Sequence, residues 1–328
     1  MLFHEHDTGL HHPERAARLT AVTRGIAMAR LDDAVVPLTV RPATTDELER
    51  VHHRPYLDAV AALCKQGGGR LDADTRVSAA SWPAAVLAAG AGPAAVAALD
   101  RGMGDAAFLA LRPPGHHATP EGGMGFCLLN NIAITAALLV ERGERVAIID
   151  FDAHHGNGTQ DTFWNDPRVL FVSAHQWPLY PGTGALTETG GPAAPGTTVN
   201  LPFPPGTTGD VYLRAFDDVI APAVAAFAPT WVLVSAGFDA HRDDPLTDLG
   251  LTAGDFADLV ARISELAPRP GRLVLFLEGG YDLAALASSV GSVAAALVGG
   301  GYRPEGASSG GPGAAIVERA KEMRARFV

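Results

Sequence analysis

Two carboxylates and two imidazoles crowd the stretch Asp150-Phe-Asp152-Ala-His154-His155-Gly156-Asn157, directly after an apolar run. Asp152-x-His154 has period-2 spacing, so in an extended segment both side chains point the same way. Asp150 then points to the other side and is better placed to orient an imidazole, which raises that histidine's pKa. A second carboxylate for the Asp152/His154 pair stands at the end of another apolar run, in Ala-Gly-Phe-Asp239. Asp152, His154 and Asp239 make a three-ligand set with coordination positions left open, the arrangement of a catalytic metal. An ion held there would polarise a carbonyl and bring the pKa of its water down toward about 7. His116-His117, in Arg112-Pro-Pro-Gly-His-His, is the natural acid–base pair. Alone, a His-His in a Pro/Gly turn reads as a hydrogen-bonded structural pair; beside a metal rim the catalytic reading is the stronger. Tyr281, in Glu278-Gly-Gly-Tyr281, could donate its hydroxyl to an oxyanion, the glycines letting the backbone turn close to a substrate. By itself it reads equally as a tyrosine packed at a turn.

These residues need strand ends to carry them. Five runs, 106–111, 146–150, 169–173, 231–235 and 273–277, have the continuous aliphatic character of strands buried on both faces. Ala/Leu-rich helical patterns lie between them, at 132–142, 210–226 and 253–266. The alternation predicts a single α/β domain over 1–328, a parallel β-sheet sandwiched by helices. In such sheets the site lies beyond the carboxyl ends of the strands. Each of the five runs is followed by chemistry there: His116-His117, Asp152 to Asn157, Ser173-Ala-His175, Asp239 and Tyr281. The segment 176–209, rich in Gly, Pro and Thr, is expected to be a long loop.

Composition narrows the partners. The 328 residues are 47% hydrophobic and 19% charged, enough for a sizeable core and unlike a disordered chain. Net charge is −11 with no basic run, which argues against nucleic acid. Lys65 and Lys321 are the only lysines, a bias of GC-rich bacterial coding. Cys64 and Cys127 alone make no disulfide framework, so a reducing cytoplasm is expected. The start, Met-Leu-Phe-His-Glu-His-Asp-Thr-Gly9, shows no signal peptide. The Ala-rich stretches 83–99 and 284–298 are broken by Gly, Ser or Pro and shorter than the ~20 apolar residues that span a bilayer, so both are expected to be buried helices and no membrane partner is expected.

A dinuclear centre of the kind in arginase-like ureohydrolases needs Asp-x-His-x-Asp; the fifth position here is Gly156, so one metal is expected. The whole set closely resembles the zinc-dependent histone deacetylase superfamily, which includes bacterial acetylpolyamine amidohydrolases and acetoin-utilisation proteins. It comprises Arg112-Pro-Pro-Gly-His-His117, Gly125-Phe-Cys, Asp150 to Gln160, Gly237-Phe-Asp239 and Glu278-Gly-Gly-Tyr281, in order between about His12 and about Val298. Asn157 stands where class I members carry Asp, so the likeness is to class II-type members. The resemblance implies an arginase/deacetylase fold, with Zn²⁺ on Asp152, His154 and Asp239; Fe²⁺ suits the same ligands. It implies His117 as general base and then acid, His116 as electrostatic support, Asp150 orienting His116 and Asn157 contacting His117. Tyr281 would stabilise the oxyanion; members with His there are nearly inactive. Gly125, Phe126, Tyr180 and Leu246 would line the acyl-lysine tunnel, Tyr180 where Phe is usual. The resemblance also implies a structural K⁺ near Asp150, Asp152, His154, Ser173 and Ala174, and a second cation site near Phe163, Asp166 and Val169. It implies, too, a strand ahead of the segment matching Met1–Gly9, which is missing from this sequence.

Substrate features point to an N-acyl-lysine protein or peptide. Polyamine-specific relatives place Glu where Leu246 stands, and dimeric ones carry a long early insertion where this chain has the short turn 64–70. A small acylated amine such as an acetylpolyamine is the alternative, and a catalytically silent metal-binding regulatory module is a third reading, against which intact His116, His117 and Tyr281 count. The acidic set Asp72, Asp74, Asp243 and Asp244 could attract cations but reads as a solvated surface.

Overall fold

The computed structural model of the chain describes residues 2–327. Near its start the chain forms α1 (Ala17–Met28), α2 (Thr45–Glu49) and α3 (Arg54–Lys65), then a small antiparallel hairpin of β1 (Gly68–Arg70) and β2 (Arg76–Ser78). The long α4 (Ser81–Asp100) leads into β3 (Ala107–Leu109), α5 (Asn131–Glu141), β4 (Val146–Asp150), α6 (Asn157–Phe163), β5 (Val169–Gln176) and β6 (Thr198–Phe203). Next come α7 (Gly209–Ala215), a π-helical turn at Phe216–Ile220 and α8 (Ala221–Phe227). β7 (Trp231–Ala236), α9 (Ala253–Leu266), β8 (Leu273–Leu277), α10 (Leu283–Leu297) and α11 (Ala314–Arg324) complete the order.

The main sheet runs β3-β8-β7-β4-β5-β6, every neighbouring pair parallel. All residues of β4 through β8 are buried, as expected of strands covered on both faces. Each Val, Leu, Ile or Phe so buried contributes about 1.5–3 kcal/mol. Helices cover the sheet: α4 packs on α5, while α1, α10 and α9 pack in series. Register then sets the site. Asp150 stands level with Ser173 of β5 and Ser235 of β7, and Ser235 stands level with Phe276 of β8. The loops beyond these positions therefore leave from one rim.

Three expectations need correction, and a fourth, the buried helix at 83–99, holds with a revised length. The segment 176–209 is not one loop, because Thr198–Phe203 adds the edge strand β6 beside β5. Its Pro202 lacks an amide proton and so sits where proline is tolerated, on an edge. The run 210–226 is helical but passes through the π turn, with Phe216, Val219 and Ile220 buried. β5 continues to Gln176, so Ala174 and His175 belong to the strand rather than to the loop after it. The stretch around 83–99 forms a helix of 20 residues, long enough to span a bilayer, but most of it is packed inside the protein.

Candidate active site

Beyond Asp150 the chain does not stay extended: residues 152–154 form a bend. The shared direction of Asp152 and His154 therefore comes from hydrogen bonds, not from strand alternation as the spacing suggested. His154 N donates to Asp152 Oδ1 at 2.9 Å, and Asp152 N to Asp150 Oδ1 at 3.1 Å. Two more amides complete the cradle: within the bend Ala153 N donates to Asp239 Oδ1 at 2.9 Å, and from the loop after β8 Gly279 N donates to Asp152 Oδ2 at 2.7 Å. His154 Nδ1 ends 2.9 Å from Asp239 Oδ2 and 3.2 Å from Asp152 Oδ1. A Cβ at Gly279 would stand 2.1 Å from Asp239 Oδ2, so only glycine permits this approach.

The three side chains fit a metal. One donor atom from each lies within 4.8 Å of the other two. Asp152 and Asp239 are buried, and among the described residues their ion-pair partners are histidines, not Arg or Lys. Two adjacent buried carboxylates without a fixed cation are costly, and an added cation relieves them. His154 reports the same field: burial lowers its pKa, but hydrogen bonds and charge from Asp152 and Asp239 push it up to about 10. The oxygen and imidazole donors suit Zn²⁺ or Fe²⁺. Position 156, where a second-metal carboxylate would stand, lies against another pair: a Cβ there would be 2.2 Å from Asp150 Oδ2.

The two histidines sit 4.0 Å apart, centroid to centroid, in opposite environments. His116 Nδ1 lies 3.0 Å from Asp150 Oδ2 and its Nε2 is 3.9 Å from Asp152 Oδ1. Burial disfavours its charge, but Asp150, Asp152 and Glu278 outweigh that and raise its pKa. His117 Nδ1 lies 2.8 Å from Asn157 Oδ1, at the start of α6. Asn157 Nδ2 points to His117 O at 3.4 Å, which leaves Oδ1 as acceptor and assigns the ring proton to Nδ1. Burial, then the charges of His116 and His154, hold the His117 pKa well below the ordinary value. Nε2 is left as a free base.

Tyr281 is buried, its ring 5.8 Å from Phe126 and 5.1 Å from the Arg18 guanidinium. Burial and the charges of Asp239 and Asp152 raise its pKa well above the usual phenol range, so it remains a proton donor. Gly125 and Phe126 both adopt the left-handed conformation, φ +54° and +68°. Phe126 carries a side chain in that strained region, and its amide donates to Thr75 Oγ1 at 3.1 Å. Tyr180 stands 5.2 Å from His117 and 6.4 Å from His154. Phe126 is thus on the Tyr281 side and Tyr180 on the histidine side. Tyr180 and Leu246 are each about a third exposed, 36% and 37%.

Two acids carry more than their sequence context suggests. Asp244, expected to belong to a solvated surface, is buried, because its carboxylate accepts Tyr281 N at 2.7 Å and Leu246 N at 3.0 Å. Glu278 is also buried and accepts Gly115 N at 2.7 Å and His116 N at 3.2 Å, holding the histidine turn from behind. No spacing signal marks Asp244; Glu278 is visible in the sequence only as part of Glu-Gly-Gly-Tyr.

The residues expected to hold structural cations fall in two places. Asp150 and Ser173 are level on adjacent strands, Ser173 Oγ lies 2.9 Å from His175 Nδ1, and Ala174 O accepts from Tyr212 at 3.3 Å. Phe163, Asp166 and Val169 share one turn, in which Asp166 N donates to Phe163 O and Val169 N to Asp166 O. The Asp166 carboxylate is already paired with Arg168, at 2.8 and 2.7 Å.

A family model described as histone deacetylase domain matches residues 12–297. A protein of Archaeoglobus fulgidus described as a probable deacetylase is 42% identical over 292 residues, 86% of this chain and 81% of that one. A histone deacetylase-like amidohydrolase of Pseudomonas aeruginosa is 39% identical over 246 residues, 74% of this chain and 65% of that one. Among solved structures, the crystal structure of the HDA15 HD domain matches with a TM-score of 0.92 at 34% identity, over 99% of this chain and 94% of that one. The fold is the α/β arginase/deacetylase fold.

Proposed function

The chain belongs to the histone deacetylase domain family, and from that premise we propose a metal-dependent amide hydrolase that removes acetyl or other short acyl groups from N-acyl-lysine-type substrates. The observation that carries this reading is the split histidine pair beside the Asp152/His154/Asp239 cluster: His116 faces the Asp150 carboxylate at 3.0 Å, which favours its charged form, and His117 the neutral Asn157 amide at 2.8 Å, which leaves it neutral. A pair whose pKa values are pushed apart identifies the base and its electrostatic partner.

Asp152, His154 and Asp239 would hold one Zn²⁺ or Fe²⁺, which supplies Lewis acidity toward the acyl carbonyl and makes water a stronger acid. His117 Nε2 takes a proton from the attacking water and returns it to the departing amine nitrogen as the C–N bond breaks, giving carboxylic acid and amine, which ionise to carboxylate and ammonium. Asn157 keeps the His117 ring in the tautomer with Nδ1 protonated. His116, paired with Asp150, sets a positive charge next to the developing negative one. Tyr281 donates its phenol proton in a hydrogen bond to the oxyanion. Phe126 and Tyr180 flank an apolar acyl-lysine chain, with the strained Phe126 backbone fixing one wall. A structural K⁺ near Asp150, Ser173 and Ala174 is part of the same reading.

Leu246 at the partly exposed mouth, in place of an acidic side chain, favours acyl-lysine over acetylpolyamine. The test compares zinc-loaded protein on an acetyl-lysine peptide, acetylputrescine and acetylspermidine. Preferred turnover of the peptide is expected. Preference for a polyamine would move the substrate to the small amines, and no turnover on any amide would sink the enzymatic reading.

A further inference from the structure

We propose that Asp244 is a positioning residue for Tyr281, a buried carboxylate that ties the oxyanion donor to the loop bearing the third metal ligand and a tunnel wall. Its catalytic consequence rests on the amide-hydrolase reading above; the contact itself rests on geometry alone.

The loop from Asp239 to Leu251 leaves β7 at the rim, and Asp244 lies at its turn, buried to 6% exposure. A carboxylate taken from water is costly unless hydrogen bonds replace its hydration. Here backbone amides of two loops do so. Oδ1 accepts Leu246 N within its own loop, at 3.0 Å. Oδ2 accepts Tyr281 N at 2.7 Å, with Asp282 N farther off at 3.4 Å, both from the loop after β8. The opposite side of that second loop is held by a charge of opposite sign. Arg18 donates to Gly280 O at 2.7 Å and also to Glu278 O, with its guanidinium over the Tyr281 ring. Carbonyls are taken by the cation and amides by the anion, so Tyr281 has little backbone freedom left.

The loop that Asp244 belongs to is itself anchored. Thr247 Oγ1 donates to Asp239 O, Asp248 N donates to Gln176 Oε1 at 2.8 Å, and His241 meets Glu305 at 2.8 Å. Asp239 and Tyr281 come from different strands, yet through Asp244 they share one support. An oxyanion donor must keep its distance from the metal-bound end of the site, and a 1 Å displacement costs about 10²-fold in rate.

The experiment uses zinc-loaded full-length protein and the variants Asp244→Ala, Asp244→Asn and Tyr281→Phe, with the two double mutants. Asp244→Ala should lower kcat on the acetyl-lysine peptide by about 10- to 100-fold, with KM within about threefold and zinc content unchanged. Asp244→Asn keeps one acceptor oxygen for Tyr281 and should recover part of that loss. In the Tyr281→Phe background neither change should cost more than about threefold, because the donor it positions is gone. The same fold loss in that background, or a loss expressed in KM or zinc content, would overturn the proposal. A second readout needs no turnover. The chain has five tyrosines, so 3-fluorotyrosine labelling allows the Tyr281 signal to be assigned by its disappearance in Tyr281→Phe. Asp244→Asn should shift that ¹⁹F resonance and leave those of Tyr56 and Tyr302 in place; an unmoved Tyr281 signal refutes the contact. A wild-type protein inactive on every amide would sink the enzymatic reading while this measurement still decides the role of Asp244.

Discussion

Replacement of Tyr281 by Phe isolates one hydroxyl, because the structure holds the rest of the residue in place. The ring keeps its edge contact with Phe126 at 5.8 Å and its place 5.1 Å from the Arg18 guanidinium. The backbone keeps the 2.7 Å hydrogen bond from Tyr281 N to Asp244. No cavity opens, so stability should change by about 1 kcal/mol or less. The lost donor acts on charge that develops mainly in the transition state, and removing one such donor costs about 10²–10³ in turnover, or ~2.7–4 kcal/mol. Tyr281 is only 9% exposed, so water has limited access to replace the missing hydrogen bond, which favours the upper half of that range. A ground-state carbonyl gains little from the phenol, so KM should move by no more than about threefold. Steady-state kinetics on an acetyl-lysine peptide, with metal content and melting temperature measured on the same preparations, tests this. A variant that keeps its metal and turns over within about threefold of wild type would remove Tyr281 from the mechanism and with it the argument for an oxyanion donor.

Three other parts of the site give outcomes of their own. Asp239→Ala takes one of the three converging donors and should abolish activity through lost metal; unchanged zinc content on elemental analysis would refute the ligand assignment. Asn157→Asp puts a carboxylate 2.8 Å from His117 Nδ1 and favours its protonated form. Because the base acts when neutral, the acid limb of the kcat/KM profile should move up by about one to three pH units, and activity at pH 7 should fall. A limb that stays put would show that His117 is not the titrating base. Glu14→Gln should destabilise the fold by about 3–5 kcal/mol, since it strips the partner from buried Arg112, bonded at 2.5 and 2.9 Å, and from nearby Arg18. Burial raises the Glu14 pKa, but His6, 3.5 Å away, and the charge and hydrogen bonds of Arg112 outweigh it and hold the carboxyl well below 4.5. That stabilisation is present above the unfolded-state pKa and lost as pH falls toward the folded one. Urea unfolding should therefore show the two proteins converging in acid; a gap constant from pH 7 to pH 3 would refute the ion-pair account.

Much of the fold could be read from the chain because strands buried on both faces are written as unbroken aliphatic runs. That rule found β3, β4, β5, β7 and β8 and missed β6, whose Thr198 and Pro202 belong to a Gly/Pro/Thr-rich stretch and whose pairing depends on a distant neighbour. The same local logic singled out Asp152, His154 and Asp239 and the His116-His117 pair, since few residue types can bind a metal or move a proton. It could not supply the means by which they meet. Asp152 and His154 share a site through a bend and amide donors from 153 and 279, not through strand alternation. Asp244 looked like half of an exposed Asp-Asp pair, and only the folded chain brings Tyr281 N to its carboxylate. Residue identity and short-range periodicity determine which groups are available and which segments are buried. Which buried acid supports which donor depends on contacts between loops far apart in sequence, where the satisfaction of hydrogen bonds, not local pattern, selects the partner.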